Sequence, residues 1–213
     1  MSKIKRGALI VIEGVDRSGK STQCKKLVDT LLKNKIPAVL MNFPDRTTVI
    51  GRLINEYLTN KKCKLNDQAI HLLFSANRWE NVEKMKSLLN NGTTLIVDRY
   101  SYSGIAFSSS KKDMSTEWCK APENGLIKPD LVFLLKLSQE EAARRTGFGD
   151  ERYENTEMQE KVSNIYSAFA KEEDNWQVID ASGTVDEVHN ELFATIVKKI
   201  TEVSDLPLQQ LHF

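Results

Sequence analysis

Five short runs rich in apolar and β-branched residues punctuate the chain, each followed by a longer stretch with apolar positions every three or four residues. Ala8-Leu9-Ile10-Val11-Ile12 has no polar interruption, as suits a strand buried on both faces. Residues 21–33 then place Leu27, Leu31 and Leu32 on one side of a helix. Residues 36–43 predict a second strand ended by Pro44, and Ile50, Leu53, Ile54 and Tyr57 follow at helical spacing. The pattern predicts the longest helix from Asn66 or Asp67, either a suitable cap, to Asn91-Gly92. Third and fourth strands are expected over residues 93–97 and 131–137, with helical stretches near 103–110 and 115–120 between them. Ser138 and Glu141 spell a capping box, and residues 144–153 are polar, Gly-containing and too irregular for a core element. A helix over 155–173, a fifth strand over 176–179 and a last helix over 185–203 precede an irregular tail. Strands alternating with helices specify an α/β fold: one domain over residues 1–213, with a five-stranded parallel sheet covered by helices on both faces.

Composition narrows the partners. Thirty Lys and Arg against 29 Asp and Glu leave the chain nearly neutral, which argues against broad affinity for nucleic acid or membrane. No apolar run approaches a membrane span, and the basic N-terminus leads straight into the first strand. Cys24, Cys63 and Cys119 are odd in number and follow no metal-ligand spacing, so reduced thiols in an intracellular compartment, cytoplasm or nucleus, are expected. His71, His189 and His212 are scattered and build no nucleophilic triad; His71 is expected in a structural or solvent position.

The sharpest chemical signal follows the first strand. Gly14-Val15-Asp16-Arg17-Ser18-Gly19-Lys20-Ser21-Thr22 fits G-x-x-x-x-G-K-[ST] between a strand and a helix. That is the arrangement in which backbone N–H groups cradle nucleotide phosphates, Lys20 reaches the outer phosphates and Ser21 can ligate Mg²⁺. In such a sheet, ligands sit beyond the carboxyl ends of the strands. The sequence sends there Asp16, Arg17 and Lys20, then Phe43, Pro44, Asp45 and Arg46, then Asp98 and Arg99, and finally Arg144, Arg145 and Arg152. Arginines gathered in a neutral chain suit phosphoryl transfer, where charge must be neutralised in flight. A small GTPase-like switch is the rival of another class, but Asn-Lys-x-Asp is missing and Asp180-Ala181-Ser182-Gly183 comes too late in the chain.

The blocks Phe43-Pro44-Asp45-Arg46, Leu72-Leu73-Phe74-Ser75-Ala76-Asn77-Arg78-Trp79-Glu80, Asp98-Arg99-Tyr100 and Glu151-Arg152-Tyr153-Glu154, with the phosphate loop, resemble thymidylate kinases of the eukaryotic type. The resemblance implies a P-loop nucleoside monophosphate kinase-like fold, transfer of a phosphoryl group from Mg·ATP to dTMP, and a homodimer. It implies catalytic roles for Arg17, Lys20 and Arg99, and ATP contacts from Arg17, Ser18, Gly19, Lys20, Ser21, Thr22 and Arg145. Ser21 and Asp98 would serve the metal. On the dTMP side it implies stacking by Phe74, a base contact from Arg78, phosphate contacts from Arg46 and Arg99, and the 3′-hydroxyl at Asp16. Phe43, Pro44, Gly104, Phe107 and Tyr153 would complete that wall, with Gly104 leaving room for the nucleotide and a lid over about 137–159. A salt bridge with neighbouring Asp98 is the ordinary alternative for Arg99, and core packing for Phe74. Kinases acting on dUMP, UMP/CMP or a nucleoside share the architecture and remain the rivals within the class.

Overall fold

The computed structural model describes residues 5–138, 141, 152–153 and 156–213. The strands are β1 (Leu9–Glu13), β2 (Ala38–Asn42), β3 (Thr94–Asp98), β4 (Leu131–Lys136) and β5 (Trp176–Asp180). All four pairings between them are parallel, in the order β2-β3-β1-β4-β5. The described helices are α1 (Lys20–Lys33), α2 (Val49–Thr59), α3 (Asp67–Trp79), α4 (Val82–Asn90), α5 (Ser101–Ser109), α6 (Thr116–Lys120), α7 (Thr156–Glu172) and α8 (Val185–Val203).

Strand alternation sorts the core into two layers. Leu9, Val11, Leu95, Val97, Val132 and Leu134 face α4, α5 and α7, meeting Met85, Ile105, Val162, Tyr166 and Phe169. Ile10, Ile12, Ile96, Phe133 and Leu135 face α1 and α8, meeting Cys24, Leu27, Leu31, Leu192 and Ile196. Each such side chain withdrawn from water contributes about 1.5–3 kcal/mol, so the two layers fix the sheet between its helices. β1 sits at the centre, with β3 on one side and β4 on the other, so the loop after β1 lies where the strand order reverses. Such switch points open a crevice for ligands.

Two expectations need correction. The helix predicted from residue 66 or 67 to 91–92 is two helices, α3 and α4, and the longest described helix is α8. Asn81 makes the break: its side-chain amide donates to the Asn77 carbonyl at 3.0 Å, taking an acceptor the helical ladder would otherwise use. The tail is also less irregular than expected. Gln210 bridges Ile127, Leu211 is buried, and Phe213 packs edge-on against Tyr102.

Candidate functional site

The phosphate loop joins the end of β1 to the start of α1. Gly19 caps α1 at a φ of 93°, a conformation glycine adopts without strain. No side chain caps this helix and its first turn carries no acid, so its first N–H groups and its dipole are left for an anion. Lys20 lies along the loop, its Nζ donating to the Val15 carbonyl at 2.7 Å. Burial, followed by the charge of Arg99, pulls its pKa down to about 8. One residue on, the Ser21 hydroxyl donates to Asp98 at the end of β3. Arg17 holds a left-handed backbone at φ 66° within the same loop.

Beside the loop opens a cleft lined from several elements. Phe74 and Arg78, one turn apart on α3, face into it along with Phe43, Pro44 and Arg46 from the end of β2. Asp16, Arg99, Gly104, Phe107 and Tyr153 line the rest, with Leu58, Tyr100, Ser103 and Ser108.

Its charged groups are held in place by other side chains. Arg78 is 2% exposed and forks onto the buried Glu123, Nε donating to Oε2 at 2.7 Å and Nη2 to Oε1. The loop carrying Glu123 is pinned to α3, since Ser75 Oγ and Trp79 Nε1 both donate to the Pro122 carbonyl, at 3.0 and 2.8 Å. Asn77 holds the turn after β2: its Oδ1 accepts from the Asp45 N–H at 2.7 Å and its Nδ2 donates to Thr48 Oγ1 at 3.0 Å. Arg46 Nη1 donates to Asn55 at 2.8 Å. Arg99, also left-handed at φ 67°, donates through Nη2 to Asp16 and through Nη1 to Gly14 O and Ser103 Oγ, each at 3.2 Å. Gln159 embraces Asp16, accepting from its N–H at 2.9 Å and donating to Oδ2 at 2.6 Å. Burial pushes the Asp16 carboxyl up, but Arg99, Lys20 and the Gln159 hydrogen bond outweigh it and hold the group below the usual carboxylate range. Tyr153 stacks on Phe107 with centroids 5.8 Å apart, and its hydroxyl accepts from Lys111 at 2.8 Å.

Known proteins are similar to this chain over most of its length. A family model described as thymidylate kinase matches residues 12–192. Thymidylate kinase of Arabidopsis thaliana is 52% identical over 200 residues, covering 94% of this chain and 74% of that protein. Human thymidylate kinase is 47% identical over 208 residues, 97% of this chain and 98% of its own. The solved thymidylate kinase structure from Candida albicans matches with a TM-score of 0.89 at 41% identity, over 97% and 99% of the two chains. The chain belongs to the thymidylate kinase family. Its five-stranded α/β fold is therefore that of the P-loop nucleoside monophosphate kinases, and it is a kinase that uses ATP and dTMP.

Within that family fold, the residues expected at the dTMP side line one cleft, and those expected at the ATP side, Arg145 apart, lie on the loop and the first turn of α1. Four details differ from expectation. Arg99 pairs with Asp16 rather than with neighbouring Asp98. Asp16, expected to meet a sugar hydroxyl, already has Arg99 and Gln159 as partners. A Cβ on Gly104 would stand 2.5 Å from Arg78 Nη2, so the room this glycine leaves is taken by the arginine. Arg152, counted among the cations at the strand ends, instead ties down the end of α2, donating to Tyr57 O at 2.9 Å and Cys63 O at 2.8 Å and lying 4.2 Å over the Tyr57 ring. Arg144, Arg145 and most of the expected lid lie outside the described residues. His71 is buried between Ser108 Oγ and the Cys119 carbonyl, a structural position.

Glu13, Glu123, Gln159 and Lys111 escaped the sequence reading. Glu13 left a trace, as a carboxylate ending an otherwise apolar strand. Glu123 and Gln159 left none, because each acts on a residue 45 or 143 positions away.

Proposed function

We propose that the loop takes the phosphates of ATP, the adjoining cleft takes dTMP, and the γ-phosphoryl group passes directly between them to give dTDP and ADP. One juxtaposition carries this assignment of residues: Asp16 and Arg99 belong at once to the phosphate loop's surroundings and to the cleft wall. A monophosphate reaching Arg99 from the cleft side thus lies beside the anion site at the start of α1.

The residues then divide the work. Backbone N–H groups of Ser18 through Thr22 and the ammonium of Lys20 hold the donor phosphates. Phe74 stacks on thymine, and Arg78, locked by Glu123, offers donors and no acceptor to a base carbonyl. Arg46 and Arg99 fork onto the acceptor phosphate. Asp16 accepts from the 3′-hydroxyl, and Tyr153 with Phe107 closes over the sugar near C2′. Arg17 neutralises charge shared between donor and acceptor phosphates, which is where a phosphoryl-transfer arginine acts.

Ser21 and Asp98 meet as hydroxyl and carboxylate at the start of α1, a donor set that suits Mg²⁺. Among the described residues there is no group of three His, Cys, Asp or Glu that would hold a metal by itself; Ser21 and Asp98 would hold the ion together with the bound phosphates. Bound there, Mg²⁺ supplies charge neutralisation to the phosphates. Exposed Val49 and Leu53 on α2, and Leu72 and Trp79 on α3, offer an apolar face for a homodimer. Three free cysteines, two of them buried, suit a reducing cytoplasm. No helix among the described residues is long and apolar enough to cross a membrane.

A coupled assay with Mg·ATP and a panel of nucleoside monophosphates tests the reading. dTMP gives the highest kcat/KM; equal values for UMP, CMP, AMP or GMP would overturn the assignment of the cleft.

A further inference from the structure

Glu13 ends β1 with its side chain fully buried in the layer beneath the cleft, and it takes no part in the reading above. Its Oε1 accepts the backbone N–H groups of Tyr100 at 2.9 Å and Ser103 at 3.1 Å. Its Oε2 accepts the Ser103 hydroxyl at 2.5 Å and lies 3.1 Å from the Tyr166 hydroxyl. These two hydroxyls, 2.7 Å apart, are also acceptors for Arg99 Nη1, at 3.2 and 3.4 Å. A carboxylate can only accept, so the Ser103 proton points at Glu13. The Tyr166 proton then points at Glu13 or at Ser103, inward in either case. Both oxygens therefore turn lone pairs towards the guanidinium.

We infer that Glu13 is a positioning residue for the phosphoryl acceptor: it fixes the direction of the Ser103 and Tyr166 hydroxyls and so aims Arg99. The same carboxylate pins the backbone on the C-terminal side of Arg99, at Tyr100 and Ser103, where the chain leaves its left-handed conformation. Holding a non-glycine residue there is costly and needs such surrounding support. Asp16 fixes the other arm of the guanidinium, so the two acids set its plane together. The inference rests on Arg99 holding the acceptor phosphate.

Glu13→Gln separates this role from simple packing. The amide keeps the shape, and its oxygen still accepts the two backbone N–H groups. Its NH₂ donates to Ser103, which turns the serine proton outward, towards Arg99 or Tyr166. The expected result is a rise of roughly tenfold in KM for dTMP, the scale of one charge-assisted hydrogen bond, with KM for ATP unchanged. In an Arg99→Ala background the same substitution has no further effect, because residues acting through one group are not additive. Ser103→Ala combined with Tyr166→Phe removes the relay while leaving Glu13 on the backbone, and reproduces the selective rise should Glu13→Gln fail to fold. If the effects of Glu13→Gln, or of that pair, and Arg99→Ala simply add, or KM for ATP rises equally, the relay is wrong although Arg99 keeps its role. If Arg99→Ala itself leaves KM for dTMP unchanged, the placement of the phosphate and the inference fall together.

Discussion

The two halves of this site are built on different principles. The phosphate loop is assembled from neighbours in sequence: a strand end, glycines at φ 149° and 93°, and a helix without a cap. Its recognition groups are mostly backbone, so residue identity matters at a few positions only. The cleft beside it is assembled from side chains, and its buried cations are held by partners far along the chain: Arg78 by Glu123 and Arg99 by Asp16. A backbone site tolerates substitution and is stiff wherever the fold is stiff. A side-chain site is specific, but each member depends on a second residue that touches no substrate.

Substitutions can break this contrast one part at a time. The largest effect is expected in the loop, from Arg17→Gly. Because Arg17 already has a positive φ, glycine removes the guanidinium without backbone strain. Single-turnover rates should fall by about 10³–10⁵ with nucleotide affinity little changed, the value of an arginine serving phosphoryl transfer. A loss of only a few-fold would move that role to Arg145.

Next comes the cleft's hidden support. Glu123→Ala leaves a buried arginine without its carboxylate and should cost about 3–5 kcal/mol in chemical denaturation. Adding Arg78→Ala should restore part of that stability, whereas additive losses would show that the pair is not coupled. Phe74→Ala should raise KM for dTMP by about 1–3 kcal/mol in free-energy terms, with KM for ATP unaltered. Circular dichroism must first show the fold intact, since Phe74 also packs on Ile54, Tyr57 and Ile70. Gly104→Ala should push Arg78 aside and raise KM for dTMP by roughly tenfold, the loss expected for one displaced charge-assisted hydrogen bond. An unchanged value would mean that Arg78 does not read the base.

Much of the loop, and little of the cleft's support, was legible in the sequence. A motif of fixed spacing between a strand and a helix encodes its own geometry, because its residues meet through local backbone conformation. The strand series was equally legible, since alternation and apolar runs report burial directly. Glu123 was not, because an acid in a polar loop looks solvated until the fold lays that loop on α3. Nor was the break at Asn81, where a side-chain hydrogen bond overrides a continuing helical pattern. Arg152 misled for the converse reason: its charge suggested phosphate, while its geometry serves the carbonyls at the end of α2.

The smallest effect concerns Lys20, whose ammonium titrates near pH 8. Donor phosphates favour its charged form, so affinity for ATP is full below that pH and declines as pH rises through it. Half a unit above, only about a quarter of the lysine is charged, and affinity should fall by up to roughly fourfold. Calorimetry at pH 8.5 in buffers of different ionisation enthalpy should show proton uptake on binding. No uptake would mean that Lys20 is already charged in the free protein.

The tail that folds back on the 124–128 loop ties the last residues of the chain to this chemistry. Leu211 exchanges backbone hydrogen bonds with Gly125 and Leu126, at 2.9 and 2.8 Å, and Asn124 accepts the Phe213 N–H at 2.8 Å. Glu123 is the next residue along that loop, so residues 211–213 are in mechanical series with Arg78 in the cleft. Loss of residues 210–213 thus loosens the loop that holds Arg78 in place.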